Sequence, residues 1–261
     1  MAHPLRIGAA IPPYGPTYDH VRRAALAAED AGADSIWTWD HFFQSGARED
    51  VTGPNLECMT VLAALAVATQ RASLGALVAC NSYRNADLHA DMARTIDHAC
   101  DGRFVLGVGA GWFEPDYTEY GYSFGNARER VEALGEALPR MRRRLARLNP
   151  GPVRGHLPLL IAGGGERLLL RLVAEHADLW NCYGTPAELA HKNAILDEHC
   201  AEVGRDPSEI ERTVLLEDDE AALADGYHEA GMTHLIVTLA APDYDVAQIE
   251  QLCAWRDRVA A

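Results

Sequence analysis

With 261 residues, 48% of them apolar and no low-complexity tract, the chain is long enough for one large barrel, expected here as a single domain over 1–261, or for two smaller units. A formal charge of −15 and a single lysine, Lys192, argue against a partner whose phosphates must be neutralised, whether nucleic acid or anionic membrane, and favour a small molecule. No window approaches the roughly 20 apolar residues of a membrane span, and Met1 to Ile11 carries no basic stretch leading into an apolar core, so a cytoplasmic location is expected.

In chain order, short β-rich runs alternate with helically patterned ones, the signature of βα units on a parallel sheet. The first strand is expected over Ile7 to Ile11 and the first helix over Asp19 to Ala31. Ser35 to Asp40 leads to a helix over Leu56 to Gln70, and Ala72 to Cys80 to one over Leu88 to Cys100, where Leu88, Met92 and Ile96 recur every four residues. Phe104 to Gly109 precedes Ala127 to Leu148, a helix capped by Asn126 and bent at Pro139. Leu157 to Ala162 is followed by Arg167 to His176, Leu179 to Tyr183 by Pro186 to Val203, and Thr213 to Leu216 by Asp218 to Ala230; His234 to Leu239 is the eighth strand. A short internal echo supports the count, because Ala31-Gly32-Ala33 and Ala230-Gly231-Met232 both end a helix at glycine and launch a strand. Eight units point to a (β/α)8 barrel, with a doubly wound open sheet as the alternative.

A barrel of this kind carries its chemistry on the loops after the strands, and four of those loops are chemically loaded. After the second strand stand Trp39, Asp40, His41, Phe42 and Phe43; after the third, Cys80 to Asn85; after the fourth, Gly109 to Glu114; after the fifth, Gly163 to Glu166. His41 is the candidate for proton transfer, since imidazole titrates near neutral pH, and Asp40 beside it is the second catalytic candidate. A histidine capping a loop is the bland alternative. Gly163, Gly164 and Gly165 lead into a helix, so their N–H groups suit a phosphate, although a flexible turn would read the same way. The glycines of Gly107 to Gly111 follow the fourth strand rather than the first, which disfavours a dinucleotide fingerprint; they let a flat ring or a neighbouring chain approach closely. Trp37, Trp39, Phe42, Phe43, Tyr83, Trp112 and Phe113 gather at these loops and suit an aromatic ligand, with Trp39, Trp112 and Phe113 expected in the substrate pocket. No H-x-H, H-E-x-x-H or C-x-x-C spacing occurs, so no metal is expected, and the six cysteines suit neither a zinc ribbon nor a disulfide framework.

These residues resemble the luciferase-like monooxygenase superfamily and, within it, the deazaflavin-dependent oxidoreductases. The resemblance runs over nearly the whole chain and is carried by Ser35 to Phe42 (SIWTWDHF), Leu74 to Asn85 (LGALVACNSYRN), Asp101 to Trp112 (DGRFVLGVGAGW), Pro158 to Glu166 (PLLIAGGGE) and Ala177 to Asn181 (ADLWN). It implies a flavin-like ring lying across the strand ends against a bulge after the third strand, with a non-prolyl cis peptide expected between Leu77 and Asn81. By the same resemblance Asp40 and His41 meet ring or substrate, Val78, Ala79, Cys80 and Asn81 back the ring, and Gly109 and Ala110 border it. Gly163, Gly164, Gly165 and Glu166, with Asn181 and Cys182, hold its phosphate-bearing tail. Homodimers are common among such relatives, and one is expected here.

Three departures stand out. Trp112 occupies the place of the glutamate used by sugar-phosphate dehydrogenases of the superfamily, so that substrate is not expected. Ala86 replaces a proline, and the stretch from Thr213 onward is shorter than in most relatives. The resulting expectation is an oxidoreductase that moves a hydride between coenzyme F420 and a small organic substrate, with His41 handling the proton. The alternatives are an FMN-dependent monooxygenase using oxygen and a non-catalytic flavin-binding protein on the same barrel.

Overall fold

A computed structural model describes residues 3–44, 52–216, 220–241 and 243–260. Its strands are β1 (Arg6–Ala10), β2 (Ser35–Thr38), β3 (Ser73–Ala76), β4 (Ala79–Cys80), β5 (Phe104–Gly109), β6 (Leu159–Ala162), β7 (Leu179–Cys182), β8 (Glu211–Leu216) and β9 (His234–Thr238). Every pairing is parallel, and the order β3-β2-β1-β9-β8-β7-β6-β5 closes on itself through β3 against β5. Strands β3 and β4 are two halves of one stave, both paired to β5, so the sheet is a closed barrel of eight staves. The helices are α1 (Tyr18–Asp30), α2 (Cys58–Ala68), α3 (Ala86–Ala99), α4 (Glu114–Tyr120), α5 (Ala127–Leu145), α6 (Leu169–His176), α7 (Pro186–Val203), α8 (Ala224–Glu229) and α9 (Ala247–Val259). Among the described residues, none of them is long and apolar enough to cross a membrane.

Alternation along the strands sorts side chains into two layers. Ala10, Trp37, Val105, Leu160, Leu179, Leu215 and Ile236 fill the barrel interior, while neighbours such as Ala9, Ile36, Leu106, Ile161 and Val214 pack outward under the helices. The fully buried Trp37 has room because the adjacent stave carries Gly75, where a Cβ would lie 2.5 Å from the indole ring. Gly107 serves the interrupted stave: a Cβ there would sit 1.9 Å from the Ala76 carbonyl oxygen. The chain that the glycines of β5 admit is thus their neighbour in the barrel. The break between β3 and β4 falls at Leu77–Val78, whose peptide is cis, inside the predicted interval.

Helix ends follow local chemistry. Glu57 accepts from the N–H groups of Met59 and Thr60 to start α2, and Asn126 with Glu129 and Thr185 with Glu188 form capping boxes at α5 and α7. The echoed segments make the same closing bonds: Gly32 N–H to Glu29 O and Ala33 N–H to Ala28 O at α1, Gly231 N–H to His228 O and Met232 N–H to Tyr227 O at α8.

Several predicted boundaries need correction. The third strand is not continuous over Ala72 to Cys80, the second stops at Thr38, and β8 starts at Glu211 rather than Thr213. Helix α3 begins at Ala86 because the Asn85 side chain caps it, and α5, with Pro139 inside it, ends at Leu145 rather than Leu148. Residues 217–219 lie outside the described residues, and among the described residues of the helix expected over Asp218 to Ala230 only Ala224–Glu229 is α-helical. Helices α4 and α9 went unpredicted.

Helix α3 also carries a buried acid-sensitive group. His89 is fully buried with neither ring nitrogen partnered among the described residues, and burial, with Arg84 nearby, lowers its pKa to about 3. The unfolded chain takes up this proton near pH 6.5 and the folded one only near 3, so stability is complete above 6.5 and falls as pH drops through that window. The loss approaches roughly 5 kcal/mol at the acid end. Urea midpoints at pH 7 and pH 4.5 should therefore differ less in His89→Leu than in the parent; equal differences would remove His89 as the cause. His234, also fully buried, is shifted in the same direction, which makes the comparison with the parent essential.

Candidate active site

A cavity of about 400 Å³ opens at the carboxyl ends of the strands. Its wall combines Trp39, Asp40 and His41 after β2, Leu77, Val78 and Cys80 at the interrupted stave, Gly109 to Trp112 at and beyond the end of β5, Ala162 and Gly163 at the end of β6, and Asn181 and Tyr183 at the end of β7. These segments, far apart in sequence, meet because parallel staves deliver all their carboxyl ends to one face.

Asp40 is 3% exposed, and both its oxygens are engaged: Arg84 donates to each, and the Cys80 N–H donates to Oδ2 at 3.0 Å. Arg84 also bonds Glu57, the cap of α2. This triad ties the ends of β2 and β4 to α2, and it places Asp40 in a supporting position rather than as a free acid or base.

His41 has a different environment. Its Nδ1 lies 2.7 Å from Oδ2 of Asp116, a fully buried residue in the first turn of α4, and its ring meets Trp112 and Phe113 edge-on at 5.5 and 5.3 Å. Asp116 also accepts from the Phe42 N–H and the Tyr83 hydroxyl, each at 2.9 Å. Phe42 stacks on Tyr120 at 3.8 Å, holding α4 against the loop after β2. The Cys80 thiol lies 3.1 Å from the Tyr117 hydroxyl. Burial pushes the Cys80 thiol and the Tyr83 and Tyr117 phenols up, so all three stay protonated near neutral pH.

At the opposite end, Gly163 turns with φ of +129°. Lys192 from α7 donates to the Gly164 carbonyl at 2.9 Å and lies 3.4 Å from a Glu166 carboxylate oxygen. The predicted helix start is late here, since Glu166, Arg167 and Leu168 form a turn before α6 begins at Leu169.

Of the residues predicted from sequence, Trp39, Asp40, His41, Val78, Cys80, Gly109, Ala110, Trp112, Gly163 and Asn181 line the cavity. Ala79 does not, because it alternates with Val78 and Cys80 and faces the outer core; Cys182, of opposite parity to Asn181, packs there too. Asn81, Gly164, Gly165 and Glu166 stand back from the wall, and Phe113 acts from behind His41. Trp37 belongs to the barrel interior, and Phe42 and Phe43 pack on Tyr120. Sequence reasoning missed Asp116, Glu57 and Lys192 and gave Arg84 no role. One signal for Asp116 was present, since Pro115 flanked by Glu114 and Asp116 is the start signature of a helix. Among the described residues no group of three His, Cys, Asp or Glu side chains is placed to hold a metal ion.

The sequence pattern of the family described as luciferase-like monooxygenase matches residues 1–244. The chain belongs to that family of luciferase-like oxidoreductases and monooxygenases. It is 29% identical over 241 residues to the pyrimidine monooxygenase RutA of Methylorubrum extorquens (strain PA1), covering 83% of this chain and 64% of that protein. It thus spans less than two thirds of that relative's length. Among solved structures, an F420-dependent secondary alcohol dehydrogenase in complex with an F420–acetone adduct superposes with a TM-score of 0.81 at 17% identity, covering 95% of this chain and 97% of the other. The oxygenating constituent of 3,6-diketocamphane monooxygenase from Pseudomonas putida, in complex with FMN, gives 0.65 at 17% identity, with 82% and 67% covered. At such identities these two likenesses concern the fold.

Proposed function

We propose that the cavity takes coenzyme F420 and that the protein exchanges a hydride between it and a small organic substrate, with His41 giving or taking the accompanying proton. The observation that carries this reading is the inventory of acid–base groups at the wall. Asp40 is held by Arg84, burial keeps the Cys80 thiol and the Tyr83 phenol protonated, and the His41 imidazole, which can both give and take a proton, remains as the acid–base group of the wall.

The residues fit a flat heteroaromatic group with a polar tail. Leu77, Val78, Gly109 and Ala110 offer it an apolar slot, and the buried indole N–H of Trp39 has no partner among the described residues. Gly163 and Asn181 would face the tail. When bound, the coenzyme supplies the electrons; the chain orients it, excludes water with Trp39 and Trp112, and moves the proton at His41. FMN with oxygen is the second reading, and the sequence likeness to a pyrimidine monooxygenase favours it.

Titrating the protein with F420 and, separately, with FMN, followed by absorbance and fluorescence, tests the proposal. Selective F420 binding is expected, with a Kd at least about tenfold below that for FMN, a difference of about 1.4 kcal/mol. FMN preference combined with oxygen consumption would replace the hydride reading, and binding of neither would remove the cofactor assignment.

A further inference from the structure

We infer that Asp116 is a positioning residue that holds His41 as the Nδ1–H tautomer and so makes Nε2 the nitrogen that meets the substrate. The inference rests on the proposal that His41 handles the proton, but its geometry stands without any cofactor. An ionised carboxylate only accepts hydrogen bonds, so at 2.7 Å from Oδ2 the His41 Nδ1 must carry the hydrogen. The other two partners of Asp116 are also donors: the Phe42 N–H always, and the Tyr83 hydroxyl because burial keeps that phenol protonated. Three donors thus converge on one fully buried carboxylate.

The neutral ring therefore has its lone pair on Nε2, which meets no protein partner among the described residues. Nδ1 is turned into the core while His41 lines the cavity, so Nε2 is the nitrogen left for a ligand. Trp112 and Phe113 flank the ring edge-on and oppose a flip that would exchange the two nitrogens. When a substrate O–H bond breaks toward Nε2, the new N–H bond forms there, Nδ1 keeps its hydrogen, and the positive charge is spread over a ring beside Asp116, which itself takes up no proton. In the reverse direction the same Nε2–H returns the proton to oxygen.

The test reads the tautomer directly. In protein labelled with 15N-histidine, the His41 signals, identified by their loss in His41→Gln, should show a protonated Nδ1 and a lone-pair Nε2 when the ring is neutral. Tyr83→Phe, which keeps the carboxylate, should retain that pattern. In Asp116→Asn the amide oxygen stays on the Phe42 N–H and the NH₂ faces His41, so the proton should move to Nε2 and the two signals should exchange character. Turnover of this variant should fall by at least about 100-fold with F420 affinity unchanged within about threefold. A parent His41 protonated at Nε2, an Asp116→Asn variant that keeps Nδ1–H, or a Tyr83→Phe variant that loses it would each overturn the inference. If Asp116→Asn does not fold, the parent and Tyr83→Phe spectra still decide. Failure to bind F420 would sink the cofactor reading and leave these spectra untouched.

Discussion

Replacing His41 with glutamine should lower hydride transfer by about 10²–10⁴-fold while cofactor affinity changes by no more than about threefold. Glutamine keeps a polar group of similar reach, so the aromatic seat formed by Trp112 and Phe113 survives, but it cannot take up and release a proton at this position. The apolar slot that would hold the ring is built by Leu77, Val78, Gly109 and Ala110, none of which depends on the imidazole. The measurement is a single-turnover trace of coenzyme absorbance with the first substrate to give activity, beside a binding titration of the same variant. Unchanged turnover would take the proton away from His41, and lost binding with unchanged turnover of bound coenzyme would make the residue a ligand contact instead.

Arg84→Met should cost about 3–5 kcal/mol of stability, because it leaves the buried Asp40 carboxylate without its cation. The Asp40 side chain is 1% exposed and that of Arg84 9%, so neither charge can turn to water. At roughly 2–4 °C per kcal/mol for a chain of this size, the melting temperature should fall by about 10 °C. The damage should also reach the cavity, since Asp40 fixes the Cys80 N–H and with it the second half of the interrupted stave. Adding Asp40→Asn to Arg84→Met removes the orphaned charge and should restore at least about 1 kcal/mol. A loss below about 1 kcal/mol in the single variant would show that the triad is a surface-grade ion pair despite its burial.

The barrel was legible because its signal is periodic. Each stave announces itself by a short run of β-branched and aliphatic residues, and glycine ends two helices in the same way at Gly32 and Gly231. The site was legible where a residue ends a strand, as Cys80 and Gly109 do, or follows one closely, as Trp39 and His41 do. Partners that arrive through tertiary folding were not. Asp116 lies 75 positions beyond His41 on a two-turn helix too short for periodicity to reveal, and Arg84 closes on Asp40 and Glu57 across 44 and 27 positions. Parity explains Ala79 and Cys182: a resemblance transfers a stretch of sequence, whereas the pleat admits only alternate residues to the cavity. The break at Leu77 and Val78 came from resemblance alone, since nothing in the alternation of Ala72 to Cys80 marks it.

The single lysine gives the molecule a built-in address for labelling. Amine-directed reagents meet one side chain, Lys192, besides the α-amino group, so an acylated protein carries its one internal adduct beside the glycine turn after β6. The ammonium is tethered to the Gly164 carbonyl there, and its acylation rate measures how often that tether opens. A dye placed at this position would report on the glycine turn after β6 without any engineered cysteine, and the six native thiols, all buried, would not compete for it.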